Sequence, residues 1–151
     1  MSGYIGIDVS KTYLDLAEGK KGKVTRFVNE ESGISQIVVQ LQEIQPDLIV
    51  VESTGGLERA LITELFFAHL PVSLVNPGRV REFAKSTGQE AKTDNLDACL
   101  LAHFAEAVQP AKLILPTEQE QYLSALMTRR RQIIDMLIAE KNHLLSTPTR
   151  L

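Results

Sequence analysis

A chain of 151 residues, 44% hydrophobic and 23% charged, with no tryptophan, has the composition of a globular protein built around one main core, which excludes extensive disorder. Its formal net charge of −3 excludes nucleic-acid binding by bulk attraction alone, so any such role must rest on local basic groups. The chain has no membrane-length apolar run and no basic-then-apolar leader, and its single cysteine, Cys99, excludes an internal disulfide; a cytoplasmic, nucleoid-associated protein is expected.

Period-two alternation and β-branched residues predict strands at about 4–10, 13–18 and 23–29, with the glycines of 18–23 (EGKKGK) supplying a tight turn, so that the three form an antiparallel meander. Residues 31–44 set Ile34, Ile37, Val38, Leu41 and Ile44 at helical spacing, and QPD at 45–47 ends that helix before an apolar strand at 48–53. A second helix is predicted at about 56–69 with Leu57, Leu61, Leu65 and Phe66 on one side, followed by a fifth strand at 71–76. This order implies an α/β protein: a mixed five-stranded sheet flanked by helices, antiparallel first and then parallel through right-handed crossovers. Residues 76–94 form a polar, basic connection with room for a short helix, and a further helix covers about 95–108. The two prolines within 109–120 break it before one long helix at 118–146. Along that helix Leu123, Met127, Arg130, Ile134, Leu137, Lys141 and Leu144 alternate four and three apart, an apolar stripe with two basic interruptions that calls for a partner surface. The expected organisation is a compact domain over 1–110 and a linker plus long helix, used for association, over 111–151.

Asp8 stands inside an apolar strand, on the side of Tyr4 and Gly6, with Ile5, Ile7 and Val9 facing the other way. A carboxylate placed there needs a charge partner or a metal. Glu52 ends the fourth strand, and functional groups of α/β sheets collect at the carboxyl ends of parallel strands, so Asp8 and Glu52 come together if strands one and four are neighbours. Asp94 and Asp97, three apart at a helix start, share a face. Each acid also has a structural reading: Asp94 and Asp97 as helix-capping and first-turn acids, Glu52 as a solvated strand end. Together the carboxylates repel one another, and a divalent cation resolves the conflict. All-oxygen donors with scattered histidines and no zinc spacing suit Mg²⁺ or Mn²⁺, and such ions can clamp the attacking and leaving oxygens of a phosphodiester, which points to phosphoryl transfer on nucleic acid.

The cations fall into groups: Lys20, Lys21 and Lys23; Arg79, Arg81, Lys85 and Lys92; and Arg129, Arg130 and Arg131. Each reads either as a solvated face or as a phosphate contact. Lys11 follows the strand of Asp8 and is read either way too, as a phosphate contact or an exposed turn lysine. Ser53 and Thr54, in ESTGGLER at 52–59, precede a helix whose N–H groups favour phosphate, with helix capping as the alternative.

Taken together, GIDVSK (6–11), ESTGG (52–56), NPGRVREFAKSTG (76–88) and AKTDNLDA (91–98) resemble the N-terminal domain of the DEDD transposases, the insertion-sequence 110 family that also contains the Piv-type DNA invertases. The resemblance runs over residues 4–108 and implies a RuvC-like, RNase H-type fold, with Asp8, Glu52, Asp94 and Asp97 as the family's four acids. It further implies a Mg²⁺-dependent DNA recombinase of a mobile element, guided in members studied as a class by a structured RNA, associating through the helix at 118–146 into a homo-oligomer. Members also carry a C-terminal domain with a nucleophilic serine; no serine here matches it, so a fragment lacking that domain is expected. The competing readings are a stand-alone RuvC-like junction resolvase, an actin-like ATPase lobe and a non-catalytic dimerisation module. The resolvase is disfavoured by the motifs at 76–88 and 91–98, and the ATPase lobe by the lack of a glycine-rich phosphate turn after Asp8.

Overall fold

The computed structural model describes residues 3–88 and 94–148. In chain order the elements are β1 (Tyr4–Val9), β2 (Tyr13–Glu18), β3 (Val24–Val28), α1 (Glu31–Ile44), β4 (Leu48–Glu52), α2 (Arg59–Phe67), β5 (Val72–Val75), α3 (Pro77–Ser86), α4 (Asp94–Val108) and α5 (Thr117–Ser146). The five strands form one sheet in the order β3-β2-β1-β4-β5. β1, β2 and β3 pair antiparallel, whereas β4 runs parallel to both β1 and β5. This is the mixed sheet expected from the alternation of strands and helices.

Strand alternation divides the core in two. Ile5, Ile7 and Val9 point with Leu14, Leu16, Ile49 and Val51 into a layer closed by Ile34, Ile37 and Leu41 of α1 and by Leu61, Ile62 and Leu65 of α2. On the opposite face Leu48 and Val50 pack with Val80 of α3 and Leu101, Phe104 and Ala105 of α4. The second layer is thin above β1 because Gly6, Ala17, Ala98 and Ala102 are all small. A Cβ on Gly6 would run into the Ala98 carbonyl oxygen and the Ala102 amide nitrogen of α4. The glycine therefore lets helix backbone lie directly on strand backbone, and this close approach positions α4 over β1.

One element departs from expectation and another fills in what was expected. α2 begins at Arg59, not near residue 56, and Leu57 lies outside it, 44% exposed, instead of joining Leu61 and Leu65. The preceding residues are held in a turn by the side chain of Glu58, which folds back to accept from the Thr54 and Gly56 N–H groups. The polar connection after β5 contains a helix of ten residues, α3, whose start is set by Asn76: its Oδ1 accepts from the Gly78 N–H at 2.7 Å, and Pro77 follows it.

The chain divides into two compact units, residues 1–113 and 114–151. The first unit extends to Leu113 because its N–H bonds the Val72 carbonyl at 2.7 Å and the Ser73 hydroxyl bonds the Ala111 carbonyl at 2.8 Å, tying this segment along β5. The second unit is dominated by α5, a helix of 30 residues none of which is buried. Within it Tyr122, Ile133, Met136, Leu137 and Leu144 are more than half exposed, whereas Leu123, Met127 and Ile134 of the expected stripe are partly shielded.

Candidate functional site

β1 and β4 are parallel neighbours in the register Ile7 to Val51, so the next residues, Asp8 and Glu52, lie side by side where the two strands end. α4 returns over this corner in the opposite direction to β1. Its Ala98 and Ala102 lie over Gly6, and Gln109, just past its end, donates from Nε2 to the Tyr4 hydroxyl at 3.1 Å. Moving from Gly6 to Asp8 advances the strand by about 6.6 Å. Moving from the Ala98–Ala102 contact back to the first turn of α4 covers about 6 Å of helix. The start of α4 therefore stands level with Asp8 and Glu52.

The electrostatics agree with that placement. Burial raises the proton affinity of Glu52 above the ordinary carboxyl value, the charge of Asp97 raises it further, and Arg81 of α3 acts in the opposite sense. Asp97 and Arg81 are thus both within electrostatic reach of Glu52. Asp8, Glu52 and Asp97 are each partly exposed, open enough at the strand ends for a ligand to reach them. Asp94 is the first residue of α4, one turn before Asp97 on the same side of the helix, and its side chain lies outside the described residues. The donor set is all carboxylate, which fits a hard divalent cation, and mutual repulsion of Asp97 and Glu52 is what such a cation would relieve. Among the described residues no three His, Cys, Asp or Glu side chains stand close enough together to hold an ion.

One acid of this corner escaped the reading of the sequence. Asp15 of β2 lies directly opposite Asp8 and pairs through both carboxylate oxygens with Arg26 of β3, which donates from Nε at 2.8 Å and from a terminal nitrogen at 2.9 Å. Asp15 is only 4% exposed. The signal was available: Asp15 interrupts the apolar alternation of YLDLA just as Asp8 interrupts that of β1, and a short β1–β2 turn sets the two opposite each other.

The turn after Glu52 is built differently from expectation. Gly55 and Gly56 have φ of 71° and 108°, and the chain folds back so that Glu58, 5% exposed, accepts from the Thr54 N–H at 3.2 Å, the Thr54 hydroxyl at 3.0 Å and the Gly56 N–H at 3.0 Å. Burial opposes the Glu58 charge, but these hydrogen bonds, with one from its own backbone, outweigh it and hold the carboxyl below the ordinary value. The Ser53 hydroxyl also turns to Glu58, at 3.5 Å. In this structure the donors of the turn anticipated to meet phosphate through Ser53 and Thr54 face an internal carboxylate.

Of the basic residues, Lys11 is exposed at the tip of the β1–β2 turn, and Arg79, Arg81 and Lys85 are exposed on α3. The Arg79 guanidinium lies 5.6 Å from the Phe104 ring centre. Lys92 lies outside the described residues. Arg129, Arg130 and Arg131 are exposed on α5, and being consecutive they fan around the helix axis instead of forming one face.

Comparison with known proteins places these features in context. The sequence profile of the DEDD transposases of insertion sequence 110, described as "Transposase", matches residues 5–149. The chain is 30% identical over 145 residues to the pilin gene-inverting protein of Moraxella bovis and 29% identical over 144 residues to that of Moraxella lacunata, in each case covering 91% of this chain. It spans 45% of the length of those two relatives. Among solved structures it is similar to T. thermophilus RuvC in complex with a Holliday junction substrate, with a TM-score of 0.50 and 20% identity, over 76% of this chain and 100% of that one. At that identity the likeness speaks for the fold.

Proposed function

This chain belongs to the DEDD transposase family of insertion sequence 110 and has a RuvC-like, RNase H-type fold, and from that premise we propose that it is the catalytic domain of a DNA recombinase performing metal-dependent phosphoryl transfer. The observation that carries the reading is the meeting of acids from distant parts of the chain at one strand-end corner: Asp8 beside Glu52 by register, and Asp97 acting on Glu52 from α4. The rearranging of DNA named for the pilin gene-inverting relatives supports recombination over an ATPase lobe or a purely structural module.

In this account Asp8, Glu52, Asp94 and Asp97 would hold Mg²⁺ or Mn²⁺. Bound there, the cation would stabilise negative charge on the entering and leaving oxygens of the phosphodiester. The chain's own residues orient the strand. Arg81 offsets the acidity around Glu52, and Lys11, Arg79, Lys85 and Lys92 would meet backbone phosphates near the corner. Arg129, Arg130 and Arg131 would add affinity without sequence choice. The proposal keeps two partners beyond DNA: a structured guide RNA, and a second copy joined through the helix at 118–146, whose exposed apolar residues favour association. The proposed place of action is the cytoplasm, on DNA; no helix among the described residues is long and apolar enough to cross a membrane.

The test is thermal melting with and without Mg²⁺ or Mn²⁺. A ligand bound by the folded state alone stabilises it by about 2.7 kcal/mol at a hundred times its dissociation constant, so the melting temperature should rise with the cation, and Asp8→Asn should remove most of the rise. An equal rise in the variant would place the cation elsewhere and remove the basis of the proposal.

A further inference from the structure

Three residues form a row across the sheet on the face that carries α4: Asp8 on β1, Asp15 opposite it on β2, and Arg26 opposite Asp15 on β3. Like charges directly opposite each other in an antiparallel pair are unfavourable, and burying a carboxylate is costly. The chain nevertheless keeps Asp15 nearly fully buried, and what it holds is an arginine. Both oxygens of Asp15 grip the guanidinium, which also lies over the Tyr13 ring with 4.6 Å between the guanidinium carbon and the ring centre. Despite these two restraints the Arg26 side chain is 47% exposed. Around it Tyr13 and Val28 are 41% and 43% exposed, so this end of the sheet face is open to solvent. An exposed arginine on a strand normally samples many rotamers. This one is fixed in plane and position, the preorganisation that planar recognition of phosphate requires.

The row also has a direction. Neighbouring strands are about 4.8 Å apart, so Arg26 stands about 10 Å from Asp8 along the row, roughly three base steps of ~3.4 Å. On the other side of the acidic corner Arg81 acts on Glu52. Positive charge thus reaches the carboxylates from Arg26 on β3, which is held in place, and from Arg81 on α3, an arrangement suited to a polyanion that must lie across a negative site.

We infer that Arg26, held by Asp15 and Tyr13 beside Asp8, is a positioning residue that binds a phosphodiester of the DNA strand next to the acidic corner. The inference rests on the DNA-acting reading above and adds to it a contact on the β2–β3 side.

The experiment uses the full chain, a fluorescein-labelled DNA duplex and anisotropy titrations over a range of salt concentrations in Mg²⁺. Arg26→Gln should weaken binding about tenfold, the scale of a charge-assisted hydrogen bond, and lower the slope of log K against log salt by about 0.9, the contribution of one phosphate contact. Its Mg²⁺-induced rise in melting temperature should match that of the parent. Because Arg26→Gln leaves Asp15 buried without its cation, the double variant Asp15→Asn with Arg26→Gln, a neutral amide pair, should fold normally and lose the same slope. Asp15→Asn alone keeps the charge but releases its orientation, so it should retain the slope and bind more weakly. Parental slope and affinity in a folded Arg26→Gln protein would overturn the inference while leaving the DNA-acting reading intact. A deficit confined to an RNA duplex of the same sequence would also overturn it. Absence of any binding by the parent at low salt would remove both.

Discussion

Glu52 and Glu58 are six residues apart, Glu52 partly exposed and Glu58 buried, and their proton affinities move in opposite directions. Glu58 is surrounded by donors, the N–H groups of Thr54 and Gly56 and the Thr54 hydroxyl, and its carboxyl is held below the ordinary value although burial alone would raise it. Glu52 has burial and the charge of Asp97 acting together, with only Arg81 opposing them. Burial thus does not by itself say what a carboxylate is for. The first acid is satisfied by its own turn and makes structure; the second is placed beside another acid at a cost, as expected of a group waiting for a cation.

The largest effect that would break this comparison is at Glu58. Glu58→Ala strands buried N–H groups, and at pH 7 it should cost about 2–3 kcal/mol of stability, measured by urea unfolding. A loss under 0.5 kcal/mol would mean that the turn holds without the carboxylate. The pH dependence follows from the lowered folded-state value. The stability that Glu58 contributes is complete above its ordinary value of 4.5 and disappears as pH falls through the lower folded value, so Glu58→Gln and the parent should differ at pH 7 and converge near pH 2. The smallest effect concerns Glu52, with the sign reversed. Without metal, Glu52→Gln removes a charge that the fold disfavours and should raise stability by about 0.5 kcal/mol, the scale of a partly exposed charge pair, or about 1–2 °C. With Mg²⁺ or Mn²⁺ present the parent should become the more stable of the two. A variant destabilised in metal-free buffer would place Glu52 with Glu58 among the structural acids.

What could be read from the sequence follows the range of the forces involved. The helix over Glu31–Ile44 and the strand over Tyr13–Glu18 match their periodicity at both ends, because local pattern and buried face agree. The convergence of Asp8 and Glu52 was legible only on the condition that β1 and β4 are neighbours, which the strand order β3-β2-β1-β4-β5 supplies. The start of α2 was not, because a side chain two residues beyond the turn folds back to hold the Thr54 and Gly56 N–H groups and no periodicity reports that. Asp15 left a signal in the alternation of β2, but its pairing with Arg26 was not legible, because it exists only once the register of three strands is set. The long helix was legible as an element, and its apolar stripe as a pattern, through heptad spacing alone.

The central claim is that carboxylates at residues 8, 52 and the start of α4 form one cation site. The most direct measurement is anomalous diffraction from a crystal of the chain grown or soaked in Mn²⁺. The account predicts a manganese peak between Asp8 and Glu52, facing the first turn of α4. A peak bound by other residues, with Asp8 and Glu52 turned away from each other, would contradict it.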